Sequence, residues 1–189
     1  MVNNTPSSRW YSGSGIYRDV DLTITDDVHV DLNGTKVTTP NLETEKGGTV
    51  NTNVTATVAN DSDTAKSVTV RHTVFPKDGS ADQNIGTVTT DAQSIAAGET
   101  AEIRATVPVS NPELWSVDDP NLYTVRTEVL VDGQVTDTYD TEYGFRYFNF
   151  DSNTGFSLNG ENMKLKGVCM HHDQGLSEQQ LTTVRSTVR

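Results

Sequence analysis

Reactive side chains cluster near the C-terminal end of the chain, where Cys169, His171, His172 and Asp173 follow one another closely. His171 and Asp173 are two positions apart, so on an extended strand they would point to the same side and could share a metal ion. Two ligands are too few for a structural metal site, and a lone thiol beside two histidines does not by itself indicate a nucleophile. On residue types alone, a polar turn after a strand is the simplest interpretation of this cluster.

A β-hairpin is predicted to carry the cluster. Residues 155–175 read GFSLNGENMKLKGVCMHHDQG, with the pair Asn159-Gly160 near the start. This pair favours a type I′ turn, because both central residues of that turn need positive φ angles, which Asn and Gly tolerate. We expect the second strand over residues 163–168, ending at the cluster. Farther on, residues 177–188 combine a capping box with an apolar stripe, which predicts a short amphipathic helix.

The chain is acidic, since 14 Lys and Arg against 26 Asp and Glu give a formal net charge of −12. This charge repels phosphate backbones and anionic membrane surfaces, so we expect neither nucleic acid nor membrane as a partner. No apolar run approaches the roughly 20 residues of a membrane helix. The single cysteine excludes an intramolecular disulfide and a cysteine-rich zinc site. We expect no cofactor and no metal in this chain, and the composition suits a secreted or wall-attached bacterial protein.

Period-two alternation of apolar and polar residues runs through the middle of the sequence, which is typical of strands with one buried face. The clear strands are predicted at residues 50–58, 68–74, 103–109, 123–131 and 143–147, and weaker ones at 20–25, 28–32 and 85–89. Turn-forming residues separate them, for example Asp132-Gly133. Seven or more short strands at this spacing predict an all-β protein. We expect an immunoglobulin-like two-sheet antiparallel β-sandwich, with a short C-terminal hairpin and helix.

Several single residues invite a functional interpretation that packing explains better. His72 alternates with buried valines, so we expect a satisfied or half-exposed residue of the sandwich. Trp115 and Tyr123 could form a sugar-stacking platform, but aromatic residues beside a turn with proline are more often part of the core. Asp118-Asp119 would point to opposite faces of a strand, which favours a solvated turn over a pair of catalytic acids.

Three groups of residues, in order along the chain, resemble the glycoside hydrolases of family 2, which include β-galactosidases, β-glucuronidases and β-mannosidases. Residues 8–20, SRWYSGSGIYRDV, resemble the end of that family's N-terminal sugar-binding jelly roll. Residues 114–123, LWSVDDPNLY, resemble a late hairpin of its immunoglobulin-like domain. Residues 143–146 (YGFR), 156–160 (FSLNG) and 165–168 (LKGV) resemble the passage into the first strand of its catalytic barrel. The sequence around His171-His172-Asp173 is most similar to that of bacterial β-galactosidases.

This resemblance implies a division into three parts: residues 1–26 as the end of the jelly-roll domain, 27–148 as the immunoglobulin-like sandwich, and 149–189 as the start of a truncated (β/α)8 barrel. A barrel needs roughly 250 residues. We therefore expect the chain to be part of a larger retaining enzyme, whose other domains and carbohydrate substrate are its partners. The alternative is a stand-alone immunoglobulin-like surface module that binds glycan or protein.

The resemblance also implies where the chemistry lies. Retaining enzymes of this family use two glutamates, roughly 5 Å apart, as acid/base and nucleophile, and the acid/base follows an asparagine. The sequence contains no Asn-Glu pair, so we expect no catalytic residue and no glycosidase activity in this chain alone. In the intact enzyme, His171, His172 and Asp173 would contact the hydroxyl groups of the sugar, since carboxylate oxygens accept several hydrogen bonds.

Overall fold

The computed structural model describes residues 20–168. Those from Ile24 to Lys164 form one compact unit, and it is built almost entirely from antiparallel strands. Residues 20–23 and 165–168 have no regular secondary structure. In this described part no helix is long and apolar enough to cross a membrane.

Two antiparallel sheets form a β-sandwich. The first sheet has the order β1-β2-β6 and the second has the order β4-β3-β7-β8, with β5 also paired to β3. This partition has the A-B-E and C-F-G pairing of immunoglobulin-like sandwiches. The strands are β1 (Val28–Thr38), β2 (Thr49–Asn60), β3 (Lys66–Pro76), β4 (Gly86–Thr89), β5 (Gln93–Ile95), β6 (Thr100–Ser110), β7 (Tyr123–Val131) and β8 (Gln134–Tyr143). The predicted fold class is confirmed.

A third, smaller sheet follows the sandwich. Its strands β9 (Phe148–Asp151), β10 (Gly155–Leu158) and β11 (Glu161–Asn162) pair in the order β11-β10-β9. Asn159 and Gly160 connect the last two strands with φ angles of 53° and 89°, as the predicted type I′ turn requires. Asp132 and Gly133 make the same kind of turn between β7 and β8, with φ angles of 51° and 78°.

The core of the sandwich consists of two groups of buried apolar side chains. One group includes Val68, Val70 and Val129, and the other includes Val74, Val125 and Phe145. Along β3 and β7 the two groups are separated by His72 and Thr127, which face each other in the strand register. Those of these residues that lie in β3 and β7 alternate with more exposed ones, because successive side chains of a strand point to opposite faces, whereas Phe145 lies just beyond the end of β8.

The structure differs from the sequence-based expectation at three strands. Residues 20–25 form no strand, and Val20, Leu22 and Ile24 are exposed; no partner strand pairs with this segment among the described residues. The strand expected at 143–147 is wrong beyond Tyr143, which is the last residue of β8 (Gln134–Tyr143), a strand that was not expected; pairing stops there because β7 begins at Tyr123, directly opposite. The strand expected at 163–168 does not form: these residues have no regular secondary structure, and β11, the strand that pairs with β10, ends before them at Asn162.

Two short helical segments were not expected from the sequence. The single turn α1 (Leu42–Glu45) places Leu42 in the core. A 3-10 turn spans Ala81–Gln83 and starts with a capping box formed by Ser80 and Gln83. Both segments are too short to show the 3.6-residue periodicity by which helices are recognised in a sequence.

Candidate functional site

The predicted substrate-contact residues His171, His172 and Asp173, the neighbouring Cys169 and the predicted helix at 177–188 all lie outside the described residues 20–168. The structure instead shows the elements that lead to them. These are the small sheet of β9, β10 and β11 and the way it is attached to the sandwich. The candidate functional region is therefore this attachment, which we call the joint and define by Trp115, Arg146, Tyr147 and Asn159.

Asn159 is the centre of the joint. Its side-chain amide donates a hydrogen bond to the carbonyl oxygen of Trp115 at 2.9 Å. Its side-chain oxygen accepts from the backbone N–H of Tyr147 at 3.2 Å, and its own backbone N–H donates to the Tyr147 carbonyl at 2.9 Å. One side chain in a β-turn thus ties the hairpin to two separate segments of the sandwich. Because its φ angle is positive, this position favours Asn or Gly over most other residues.

Trp115 supports the joint from the sandwich side. Its backbone N–H donates to the Phe145 carbonyl at 2.8 Å, and the Arg146 guanidinium lies 4.7 Å from the centre of its ring. A Cβ atom at Gly144 would come within 3.0 Å of the Trp115 side chain, so the backbone can approach the indole this closely only with glycine. Trp115 is half-buried by these contacts, which agrees with a packing role rather than a sugar-stacking one.

Tyr123 anchors the loop that carries Trp115. The residue is 7% exposed, and its ring contacts Phe145 edge-on, with ring centroids 5.2 Å apart. Its hydroxyl accepts a hydrogen bond from the backbone N–H of Glu113 at 2.9 Å. Burial raises the pKa of this hydroxyl, so it stays neutral. A tyrosine near the start of this strand, whose hydroxyl is hydrogen-bonded to the backbone of the preceding loop, is the feature known as the tyrosine corner of immunoglobulin-like sandwiches.

Lys46, next to α1, reaches the joint from a third direction. Its ammonium group donates to the hydroxyl of Tyr147 and lies 4.7 Å from the centre of that ring. The same hydroxyl would be 3.2 Å from a Cβ atom at Gly160. The loop after α1, the end of the sandwich and the hairpin turn therefore meet at Tyr147.

A cleft of about 640 Å³ opens at one end of the sandwich, between the end of β3 and the start of β7. Its lining includes Lys77, Asp78 and Glu113. The Lys77 ammonium is paired with Glu142 at 2.7 Å, and the ring of Tyr123 in its wall is buried. The cleft thus presents no exposed aromatic face of the kind on which a sugar would stack.

Within residues 20–168, the carboxylates whose pKa values are shifted do not have the properties of a general acid. The pKa values of Glu45, Glu128 and Asp151 are all lowered, by hydrogen bonds from Asn51, from Arg71 and from the turn at Thr154, respectively. A catalytic acid needs the opposite shift. Asp118 and Asp119 lie in an exposed turn, as expected. In the same part of the chain, no group of three or more His, Cys, Asp or Glu side chains could hold a metal ion.

His72 differs from its expected half-exposed or satisfied state. It is fully buried, and its Nδ1 atom lies 3.1 Å from the hydroxyl of Thr127, while Nε2 has no hydrogen-bond partner among residues 20–168. Burial lowers the pKa of the imidazole to about 4, so the ring is neutral at pH 7. The alternation with valines placed His72 on the inward face, but it could not show that only one nitrogen would be bonded.

Comparison with known proteins agrees with this architecture. The sequence model of the glycosyl hydrolases family 2 matches residues 28–146. Beta-galactosidase BoGH2A from Bacteroides ovatus is 40% identical over 90% of this chain, and a putative beta-glucuronidase from Formosa agariphila is 33% identical over 90%. The chain spans only 19% and 15% of the lengths of these two relatives.

Solved structures agree as well. A family 2 glycosyl hydrolase from Bacteroides cellulosilyticus superposes with a TM-score of 0.78 and 32% identity, covering 94% of this chain and 25% of that one. The matched family model includes the whole sandwich, from the start of β1 to Arg146. The chain belongs to glycosyl hydrolase family 2.

Proposed function

We propose that this chain supplies the immunoglobulin-like domain of a larger retaining β-glycosidase, with the end of the preceding domain and the start of the catalytic domain attached. Residues 1–26 would close a sugar-binding jelly roll, 27–148 form the sandwich, and 149–189 begin a (β/α)8 barrel. The partners of the chain are then the other domains of the same enzyme.

The role of the sandwich in this proposal is to hold the start of the catalytic domain in a fixed place. The observation that carries it is the joint: Asn159 in the hairpin turn is bonded to Trp115 and Tyr147 of the sandwich. A rigid attachment matters because small displacements of substrate-positioning groups reduce rates strongly. Three elements that meet at one tyrosine are well suited to prevent such displacement.

The chemistry is proposed to reside in parts of the parent protein that follow this chain. A retaining mechanism needs a proton-donating carboxyl group with a raised pKa beside an ionised nucleophile. The carboxylates described above whose pKa values are shifted all have lowered pKa values. His171, His172 and Asp173 would contact sugar hydroxyl groups where the first barrel strand ends, because the active sites of such barrels lie at the carboxyl ends of their strands.

The favoured substrate is a terminal β-galactoside. Support comes from the higher identity to the relative named beta-galactosidase, 40%, than to the one named putative beta-glucuronidase, 33%. A glucuronide differs from a galactoside by a carboxylate, which requires a cationic partner in its pocket. The two substrates therefore test different chemistry in the same active site.

The experiment is to express the complete reading frame at the source locus and the present 189-residue chain, and to assay both with aryl β-galactoside and aryl β-glucuronide. We expect the parent to cleave the galactoside faster and the chain to give no turnover above a buffer blank. Asp173→Ala in the parent should lower kcat/KM. Turnover by the purified chain, or a parent that cleaves neither substrate, would overturn the proposal; preference for the glucuronide would overturn only the substrate.

A further inference from the structure

The outward face of the first sheet carries a shallow groove lined by polar side chains. The groove has a volume of about 410 Å³ and lies across all three strands, β1, β2 and β6. Val54 and Ala56 of β2 point into the core, so the residues that alternate with them face solvent. The strand register arranges six such side chains in two rows across the sheet: Lys36, Thr55 and Arg104 in one row, and Thr38, Asn53 and Thr106 in the other. We call these six residues the polar groove.

The charge of the polar groove is opposite to that of the whole chain. The formal net charge of the chain is −12, yet the groove is lined by Lys36 and Arg104 and by no carboxylate. The outward face of the second sheet differs, because Arg71 and Arg126 are each paired there with a carboxylate of the next strand. Since charges in physiological salt interact over about 8 Å, a ligand in the groove is influenced mainly by the charges next to it.

Hydrogen bonds orient two of the groove side chains. The hydroxyl of Thr106 donates to the side-chain oxygen of Asn53 at 2.9 Å, which orients the amide group and leaves its nitrogen as a donor. The guanidinium of Arg104 donates through Nη2 to Glu102, its neighbour along β6. A guanidinium has five N–H donors, so the others remain for a ligand. Side chains that are already ordered lose less conformational entropy when they bind.

Hydroxyl and amide groups beside two cations suit an acidic sugar. The threonine hydroxyls and Asn53 can exchange hydrogen bonds with sugar hydroxyl groups, and a carboxylate accepts strong, charge-assisted hydrogen bonds from lysine and arginine. Lys36 and Arg104 lie on either side of Thr55 in the register. Their Cα atoms are therefore two strand spacings, about 10 Å, apart. A single sugar ring fits between them, with its carboxylate within reach of both long side chains.

The same lining argues against two other ligands. None of the side chains that line the groove is aromatic, so neither a neutral sugar nor a nucleic-acid base would have a ring on which to stack. A nucleic acid would also bring a long row of phosphates towards a chain with a formal net charge of −12. One acidic sugar among neutral ones meets two cations without adding that repulsion.

We propose that the polar groove binds a glycan that carries a uronic acid residue. The carboxylate of the uronic acid lies between Lys36 and Arg104, and the hydroxyl groups of the adjoining sugars contact Asn53 and the threonines. The inference goes beyond the proposed function and does not depend on it, because binding to this face uses no catalytic group. The sandwich itself then provides an affinity for acidic glycans.

A chemical-shift titration of the isotope-labelled 189-residue chain tests the proposal, because it detects weak binding and locates it on the fold. One ligand is xylotriose that carries a single methylglucuronic acid residue, and the neutral control of the same length is unsubstituted xylotetraose. We expect saturable shifts at the amides of β1, β2 and β6 with the acidic glycan only, and weaker binding at high salt. Equal affinity for the neutral glycan, saturable shifts confined to other strands, or no saturable shift at all would overturn the proposal.

Charge-removing variants identify the groups that bind the carboxylate. Lys36→Gln and Arg104→Gln should each weaken binding of the acidic glycan several-fold, because each removes one cationic partner. Lys164→Gln is the matched control, since it removes one positive charge from an exposed residue that does not line the groove, and it should bind like the unchanged chain. Unchanged binding by both groove variants, or an equal loss in the control, would contradict the proposal.

The parent protein shows whether the groove is accessible in the intact molecule. Isothermal titration calorimetry of the parent with the same two glycans should give the same preference for the acidic one, and Lys36→Gln should weaken it. A parent without this preference would overturn the proposal, because the groove would then be covered. None of these measurements uses glycosidase activity, so failure of the glycan site and failure of the proposed function give different results.

Discussion

At the scale of single residues, His72 is the clearest case of a polar, titratable side chain buried in the core. A histidine normally keeps both ring nitrogens hydrogen-bonded, but here only Nδ1 contacts a hydroxyl, that of Thr127, and Nε2 is buried with no partner in the described part of the chain. The neutral ring tolerates this at modest cost, whereas a protonated ring would need to bury a charge. The site therefore couples folding to pH.

The sign of that coupling follows from the two pKa values. Unfolded, the imidazole titrates near 6.5, and in the folded chain its pKa is about 4. Between these values the unfolded chain binds more protons, so stability is fully present above about pH 7 and is lost as the pH falls towards 4. A shift of this size corresponds to about 3 kcal/mol when complete.

We predict that His72→Leu combined with Thr127→Val removes this part of the acid sensitivity. Leucine is close to histidine in volume, and changing both partners leaves no orphaned hydroxyl. When the pH falls from 8 to 4.5, the free energy of unfolding of the double variant should decrease by about 2 to 3 kcal/mol less than that of Thr127→Val alone. Urea unfolding at both pH values measures this difference; parallel losses in the two variants would show that His72 does not titrate as described.

At the scale of elements, the two type I′ turns show how short sequence signals fix strand pairing. Asp132-Gly133 joins β7 to β8 and Asn159-Gly160 joins β10 to β11, both with positive φ at each central residue. These turns were predictable from dipeptides because the backbone requirement is local. They set the register of the pairs next to each turn, and between β7 and β8 the register then shifts between Val129 and Leu130.

Other elements depended on information that is not local. Residues 143–147 alternate like a strand, yet β8 stops at Tyr143 because β7 has no residue left to pair with. Phe145 is nevertheless fully buried, so the alternation correctly identified an inward-facing residue but not its secondary structure. Residues 20–25 alternate as well, and their exposure shows that apolar alternation becomes a strand only where a partner exists.

Gly133→Ala should isolate the backbone strain of a turn. No atom lies within 4 Å of the position that an added Cβ would occupy, but φ is 78°, and a left-handed conformation disfavours alanine by about 1 kcal/mol or more. Gly48→Ala is the control, because its nearest atom is 3.6 Å away and its φ is not positive. Thermal or urea unfolding should show a loss of about 1 kcal/mol for Gly133→Ala and almost none for Gly48→Ala. Equal losses would mean that the turn is not strained by a side chain.

At the scale of the whole molecule, the sandwich could be predicted well and the functional site only partly. The period-two pattern and the turn residues determine two sheets with buried faces, and both were found. The attachment of the hairpin could not be predicted, since Trp115, Tyr147 and Asn159 are far apart in sequence and meet only through tertiary contacts. Sequence spacing identified Asn159 as a turn residue and gave no sign of its second role.

The last prediction concerns this second role, the hydrogen bonds of the Asn159 side chain to Trp115 and Tyr147. Asn159→Gly keeps a residue that accepts the positive φ but removes both side-chain hydrogen bonds of the joint, which together contribute about 1 to 2 kcal/mol. Asp132→Gly makes the same change at the corresponding position of the other turn, where the side chain bonds to no described residue. Only Asn159→Gly should destabilise the chain, and only it should speed hydrogen exchange at the amide of Tyr147.

The same two variants in the parent protein connect the joint to activity. If the sandwich positions the start of the catalytic domain, Asn159→Gly should lower kcat/KM for the preferred glycoside, whereas Asp132→Gly should leave it unchanged. Loss of stability without loss of kcat/KM, measured well below the melting temperature, would show that the joint holds the fold together but does not position the active site. Both changes introduce glycine at the same position of a type I′ turn. The difference between the two variants therefore measures the effect of the two side-chain hydrogen bonds of Asn159.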